Sequence, residues 1–172
     1  MTRFWAGLAM VAMAGCTPHV PSPTYYFAPV TLANLAPARL AGTWYEVARY
    51  PAPFQRDCTH VTATYSPRTD GTLGVVNRCR RDGVTETIAG VATPVGPGKL
   101  RVKREGVPFA GDTLILGTGD GGRTVYVGTS LRNAGWVLHR DRRFTEEQRR
   151  VAEKLFRKNG YDEAALMRTD QR

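Results

Sequence analysis

The stretch Gly42-Thr43-Trp44-Tyr45-Glu46-Val47-Ala48-Arg49 opens a series of strand-like runs that continues to about residue 140. Outward from it, Val61, Ala63 and Tyr65 alternate with Thr62 and Thr64, and Leu100 and Val102 alternate with Lys99, Arg101 and Lys103. A period of two marks a strand with one face buried. Breaks rich in Gly, Pro and Asp recur at 67–71, 82–83, 94–98, 106–111, 117–122 and 133–135. They divide the region into about eight strands: 43–51, 59–66, 72–80, 84–92, 98–104, 112–117, 123–130 and 135–140. Short strands joined by tight turns predict an all-β antiparallel sandwich or barrel.

One helix follows. Thr145 and Gln148 have the spacing of a capping box, and Glu146 and Glu147 sit where the helix dipole favours negative charge. Val151, Ala152, Leu155 and Phe156 form its apolar face, and Gly160 supplies the stop. Residues 164–168 read as extended, a short final strand.

The chain has 172 residues, a length suited to one domain, and 42% of them are hydrophobic, enough for a core. The net charge of +9 admits a nucleic acid, an anionic surface or an anionic ligand as partner. The basic residues are scattered, with no aromatic platform between them, so nucleic acid is not expected. His19, His60 and His139 lie far apart and show no metal-ligand spacing. No Ser-His-Asp string is readable, and the glycine-rich 117–122 lacks a Gly-Lys-Ser/Thr ending and does not open a helix. No metal, cofactor or catalytic residue is expected.

The N-terminus carries an address. Arg3 precedes an apolar run over 4–14, too short to span a bilayer and of the length of a signal-peptide core. Met13-Ala14-Gly15-Cys16 resembles a lipobox, with Met13 in place of the usual Leu. The resemblance implies a signal peptide over 1–15 and acylation of Cys16, hence a membrane anchor; the non-acidic Thr17 implies sorting to a bacterial outer membrane, facing the periplasm. Pro18, Pro21, Pro23 and Pro29 make 16–34 an extended tether. With Cys16 used by the lipid, Cys58 and Cys79 remain, and an oxidising compartment lets such a pair persist as a disulfide.

Gly42-x-Trp44 on the first strand and Trp136-Val137-Leu138-His139-Arg140 at the end of the eighth resemble the lipocalin signature. The longer string through Arg49, then Phe54 and Val61-Thr62-Ala63-Thr64-Tyr65-Ser66, is similar to the bacterial branch that also includes apolipoprotein D. The resemblance covers 35–169, leaving 170–172 as a tail. It implies an eight-stranded up-and-down barrel with one C-terminal helix, Trp44 plugging the closed end and Arg140 stacked on its indole. It also implies a small hydrophobic ligand, such as a fatty acid or lysophospholipid, held inside for envelope lipid storage, transport or repair. A barrel filled by side chains, serving a structural role, is the alternative. An enzyme on this fold is a more distant one.

An inward Trp44 sets the parity of the wall. Glu46, Ala48 and Tyr50 follow it inward, and Val61, Ala63, Tyr65, Leu73, Val75 and Asn77 share the apolar parity of the next two strands. Glu46, Tyr50, Val61, Ala63, Tyr65, Leu73, Val75 and Asn77 are therefore the expected ligand contacts. Glu46 either orients a head group or is a structural carboxylate paired with an inward Arg or Tyr. The apolar pattern registers Val61 opposite Asn77, Ala63 opposite Val75 and Tyr65 opposite Leu73. Cys79 then faces Thr59, one residue from Cys58, an offset that a regular ladder does not bridge. Cys58 lies at the strand's start, where the chain can deviate, and the bridge is expected.

Overall fold

The eight runs marked out by the Gly-, Pro- and Asp-rich breaks fold as eight antiparallel strands in a computed structural model that describes residues 35–172. The signal peptide, Cys16 and the tether lie outside the described residues. The strands are β1 (Gly42–Arg49), β2 (Thr59–Pro67), β3 (Leu73–Arg81), β4 (Val84–Gly96), β5 (Lys99–Arg104), β6 (Gly111–Gly119), β7 (Thr124–Gly128) and β8 (Gly135–His139). Helix α1 (Glu146–Lys158) follows, and β9 (Met167–Arg168) is the short last strand. Each of β1 to β8 pairs with the next, and β1 pairs with both β8 and β2, which closes the sheet into a barrel and leaves no open edge among them. β9 joins β1 at Ala48 and Arg49, where β2 has already left it.

The closed end is built around Trp44, which is fully buried. Its Nε1 donates to the Leu40 carbonyl at 2.7 Å. The Arg140 guanidinium lies 3.5 Å from the indole centroid. Arg140 also donates to the carbonyls of Thr43 and Ala41, at 2.8 and 2.7 Å. These contacts fix the terminal arm, the first strand and the end of the eighth to one another. Gly42 has φ +94°, and a Cβ there would stand 3.1 Å from Arg140 Nη1, so only glycine lets the guanidinium pass.

A second core lies outside the barrel. α1 lays Ala152 and Phe156 on Val47, Tyr50, Leu116, Tyr126 and Val137. The expected capping box forms: the Thr145 side chain accepts from the Gln148 amide, and the Gln148 side chain accepts from the Thr145 amide. Val151, expected on the apolar face, is instead exposed, because the buried stripe is centred on Ala152 and Phe156, four residues apart.

Four departures separate the structure from the sequence pattern. β4 runs past residue 92 through Pro94 to Gly96, with a register shift between them that accommodates the missing proline donor. β2 pairs with β3 two residues away from the expected register, with Ala63 opposite Asn77, Tyr65 opposite Val75 and Pro67 opposite Leu73. The turn is correspondingly tighter: the Arg68 amide donates to the Thr72 carbonyl at 3.0 Å. Near the start of β2 a bulge places Thr59 opposite Arg80 rather than Cys79, and His60 takes φ 49°. The fourth is a register shift between Glu46 and Ala48 on β1.

Candidate functional site

Above the Trp44 plug the barrel keeps a cavity of about 710 Å³. That lies within the range of small-molecule sites, roughly 300–1,000 Å³. It opens between the loops that follow β1, β3 and β5. Phe54 and Phe109, on the first and last of these loops, and Val84, just after the β3–β4 turn, are exposed.

Of the residues expected to face the interior, Glu46, Val61, Ala63, Tyr65, Val75 and Asn77 line the cavity. Leu73, Ala48 and Tyr50 do not. Leu73 is buried in the packed closed end with Trp44, Leu40 and Leu100, below the open space. Tyr50 is on the other side of the wall, between Phe156 and Tyr161, with ring centroids 5.1 and 4.9 Å away. The bulge around Val47 is the cause. It adds a residue to β1, so Val47 and Ala48 both belong to the outer core, Arg49 turns toward Glu46, and Tyr50 turns out. Several wall residues were not singled out from the sequence, among them Gln55, Val102, Arg104, Val127, Trp136 and Leu138. Four of these carry a readable signal: Val102 and Arg104 share the parity of Leu100 on β5, and Trp136 and Leu138 share one parity on β8.

Glu46 is only 2% exposed and its carboxylate is fully engaged by the protein. Oε1 accepts from Thr169 Oγ1 at 2.7 Å and from Arg49 Nη1 at 3.1 Å, and Oε2 accepts from Gln55 Nε2 at 2.8 Å. Burial raises the Glu46 pKa, and the Thr169 and Gln55 hydrogen bonds and the Arg49 charge pull it back. Arg49 is held in turn by the Cys58 and Gln55 carbonyls. Gln55 accepts from Trp136 Nε1 at 2.6 Å, which fixes that ring in the wall. Of the two roles open to Glu46, the geometry is that of the structural carboxylate paired with an inward Arg. The chain also stays packed beyond residue 169: Gln171 is buried and its amide donates to the Glu46 and Val61 carbonyls, so 170–172 is not a bare tail.

Cys58 and Cys79 form a disulfide in the wall near the mouth, with Cα atoms 5.4 Å apart. The β2 bulge removes the one-residue offset that a regular ladder would leave. Among the described residues, no group of three His, Cys, Asp or Glu side chains is placed to hold a metal, and no helix is long and apolar enough to cross a membrane.

A family described as a lipocalin-like domain matches residues 36–171. The chain belongs to the lipocalins. Temperature-induced lipocalin-1 of Arabidopsis thaliana is 32% identical over 145 residues, 77% of each chain. The outer membrane lipoprotein Blc of Escherichia coli K12 is 31% identical over 146 residues, 82% of each chain. The solved structure of the cockroach allergen Per a 4 superposes with a TM-score of 0.68 at 16% identity, covering 83% of this chain and 92% of that one. This likeness concerns the fold alone. Lipocalins bind small hydrophobic ligands in such a barrel, and in this lipocalin the Gly42, Trp44 and Arg140 arrangement closes the end opposite the mouth.

Proposed function

We propose that this lipocalin is a membrane-anchored carrier that holds a single-chain lipid, a fatty acid or lysophospholipid, inside its barrel. Its setting would be the bacterial envelope, where it would store, move or repair lipid without catalysing a reaction. The observation that carries this reading is the open, largely apolar cavity with Val61, Ala63, Tyr65 and Val75 on its wall. A barrel filled by side chains would not leave that space. Burying one methylene contributes about 0.8 kcal/mol, so about ten methylenes gain roughly 8 kcal/mol before the cost of association, and micromolar affinity is the expectation. The exposed Phe54, Val84 and Phe109 near the mouth suit passage of a lipid between a membrane and the interior. Support for the envelope setting comes from the N-terminal pattern ending at Cys16 and from similarity to an outer membrane lipoprotein.

Displacement of a fluorescent fatty-acid probe from the full chain tests the carrier role. Val75→Trp places an indole in the cavity and is expected to abolish probe binding while the fold is kept. No binding by wild type, or equal binding by folded Val75→Trp, counts against an interior site. Detergent partitioning of the full chain against Cys16→Ala tests the anchor: wild type should enter the detergent phase and the variant should not, and identical aqueous behaviour removes the acyl anchor from the account.

A further inference from the structure

Arg104 is the one charged group of the cavity wall that combines inward parity with no hydrogen-bonding partner for its side chain among the described residues. It ends β5 on the same face as the buried Leu100 and Val102, and it is half-buried. The other charges of the wall are accounted for. Glu46 and Arg49 bind each other. Glu86 is bonded through both oxygens to Arg81. Arg78 lies at outward parity between Asn77 and Cys79 and is exposed, and Glu105 is exposed and makes no ion pair with Arg104. A guanidinium in such a place, with five donors in a planar fork, is matched to a carboxylate or phosphate.

The sheet register shows what stands beside it. Tyr65 is opposite Val75, Val75 opposite Gly90, and Gly90 opposite Arg104, one inward row across four strands. Three strand spacings are about 14 Å, a span that two long inward side chains can share. Gly90 contributes no side chain to the row, and a Cβ there would fall 2.4 Å from the Lys103 carbonyl oxygen, so the gap is held open by the backbone itself. The Arg104 charge acts on the Tyr65 hydroxyl, whose pKa burial pushes up to about 12, so the phenol remains a proton donor at neutral pH. That hydroxyl also makes no hydrogen bond to another described residue. Two donors without acceptors thus face one apolar cavity.

We propose that Arg104 and Tyr65 form the head-group site of the cavity and select an anionic lipid, binding its carboxylate or phosphate oxygens while the tail occupies the apolar part of the barrel. The proposal rests on the carrier reading above and narrows it to anionic ligands. The Glu46 side of the wall contributes nothing to charge selection, because its donors and acceptors are already paired.

The test uses the full chain and displacement of the neutral dye N-phenylnaphthylamine by oleate, by lysophosphatidate and by oleyl alcohol, which has the tail without the charge. Charge-assisted hydrogen bonds give oleate an advantage of about tenfold or more over oleyl alcohol. Arg104→Gln should remove that advantage and weaken lysophosphatidate by a similar factor, leaving oleyl alcohol within about threefold of its wild-type affinity. Arg104→Lys should keep a preference for the anions, and Tyr65→Phe should weaken them a few-fold. The stronger of the two anions identifies the head group. Equal binding of oleate and oleyl alcohol by wild type, or a preference that survives Arg104→Gln, overturns the assignment. Oleyl alcohol bound with no anion preference refutes the head-group site alone, whereas no displacement by any of the three lipids overturns the carrier reading and the site with it.

Discussion

Truncating Trp44 to alanine tests the closed end of the barrel. The ring is fully buried, so its removal leaves a cavity that the surrounding strands cannot fill, costing about 3–5 kcal/mol for a large core aromatic. The Leu40 carbonyl loses its 2.7 Å partner, which adds about 1 kcal/mol. The guanidinium of Arg140 loses the face it covers at 3.5 Å, an interaction of about 0.5–2 kcal/mol. Against a typical total stability of about 5–15 kcal/mol, Trp44→Ala should leave a barely folded protein. Arg140→Ala keeps the indole but removes the stacking and two donors to carbonyls, so its cost should be smaller, about 1–3 kcal/mol. Guanidinium unfolding followed by far-UV circular dichroism gives both values, and the double variant gives the coupling, expected at about 0.5–2 kcal/mol. If the single variants unfold with wild type, or if the double variant shows no coupling, the plug-and-clamp account of this end is wrong.

Two further perturbations read other parts of the structure. The Cys58–Cys79 bridge spans 21 positions of sequence, so the Cys58→Ser, Cys79→Ser pair should lose about 3 kcal/mol by the chain-entropy estimate; unchanged unfolding midpoints, or two reactive thiols at these positions without reductant, contradict the bridge. Among the described residues the buried Tyr50 hydroxyl has no partner, so Tyr50→Phe should be neutral or stabilise by up to about 1 kcal/mol, and a loss of more than about 1 kcal/mol in thermal or denaturant melts would mean that the hydroxyl is bonded after all.

Alternation in β2 and β5, where one buried face forces a period of two, together with the Gly-, Pro- and Asp-rich breaks between runs, located all eight strands; β6 and β7, buried on both faces, carry no alternation. The closed end was legible through resemblance: Gly42-x-Trp44 and Arg140 match the lipocalin signature, and the structure supplies the physical reason, a guanidinium 3.5 Å from the indole centroid beside a glycine at φ +94°. What stayed hidden were the bulges. A bulge adds one residue without a residue signature, yet it reverses the direction of every side chain beyond it. Around Val47 this turned Tyr50 out of the expected site and brought Arg49 beside Glu46. Near His60 it placed Cys58 next to Cys79, which a straight ladder keeps apart. The β2–β3 register moved by two residues, an even step, so Val61, Ala63, Val75 and Asn77 kept the inward face they were given. Arg104 was readable by parity from Leu100 and Val102, but an arginine among alternating basic residues looks like surface until the register sets it in a row with Tyr65.

Trp136 offers the most direct test of whether a lipid enters the barrel. It lines the cavity with its Nε1 fixed by Gln55, so a bromine on a bound acyl chain would quench it at contact range. Fluorescence of the full chain should fall on titration with a dibrominated stearate, with saturation at micromolar concentration, and most of that quenching should vanish in Trp136→Phe. Bound bromolipid that leaves wild-type fluorescence unchanged would place the lipid outside the barrel and contradict the account, and quenching of equal size in Trp136→Phe would contradict contact of the lipid with the wall at Trp136.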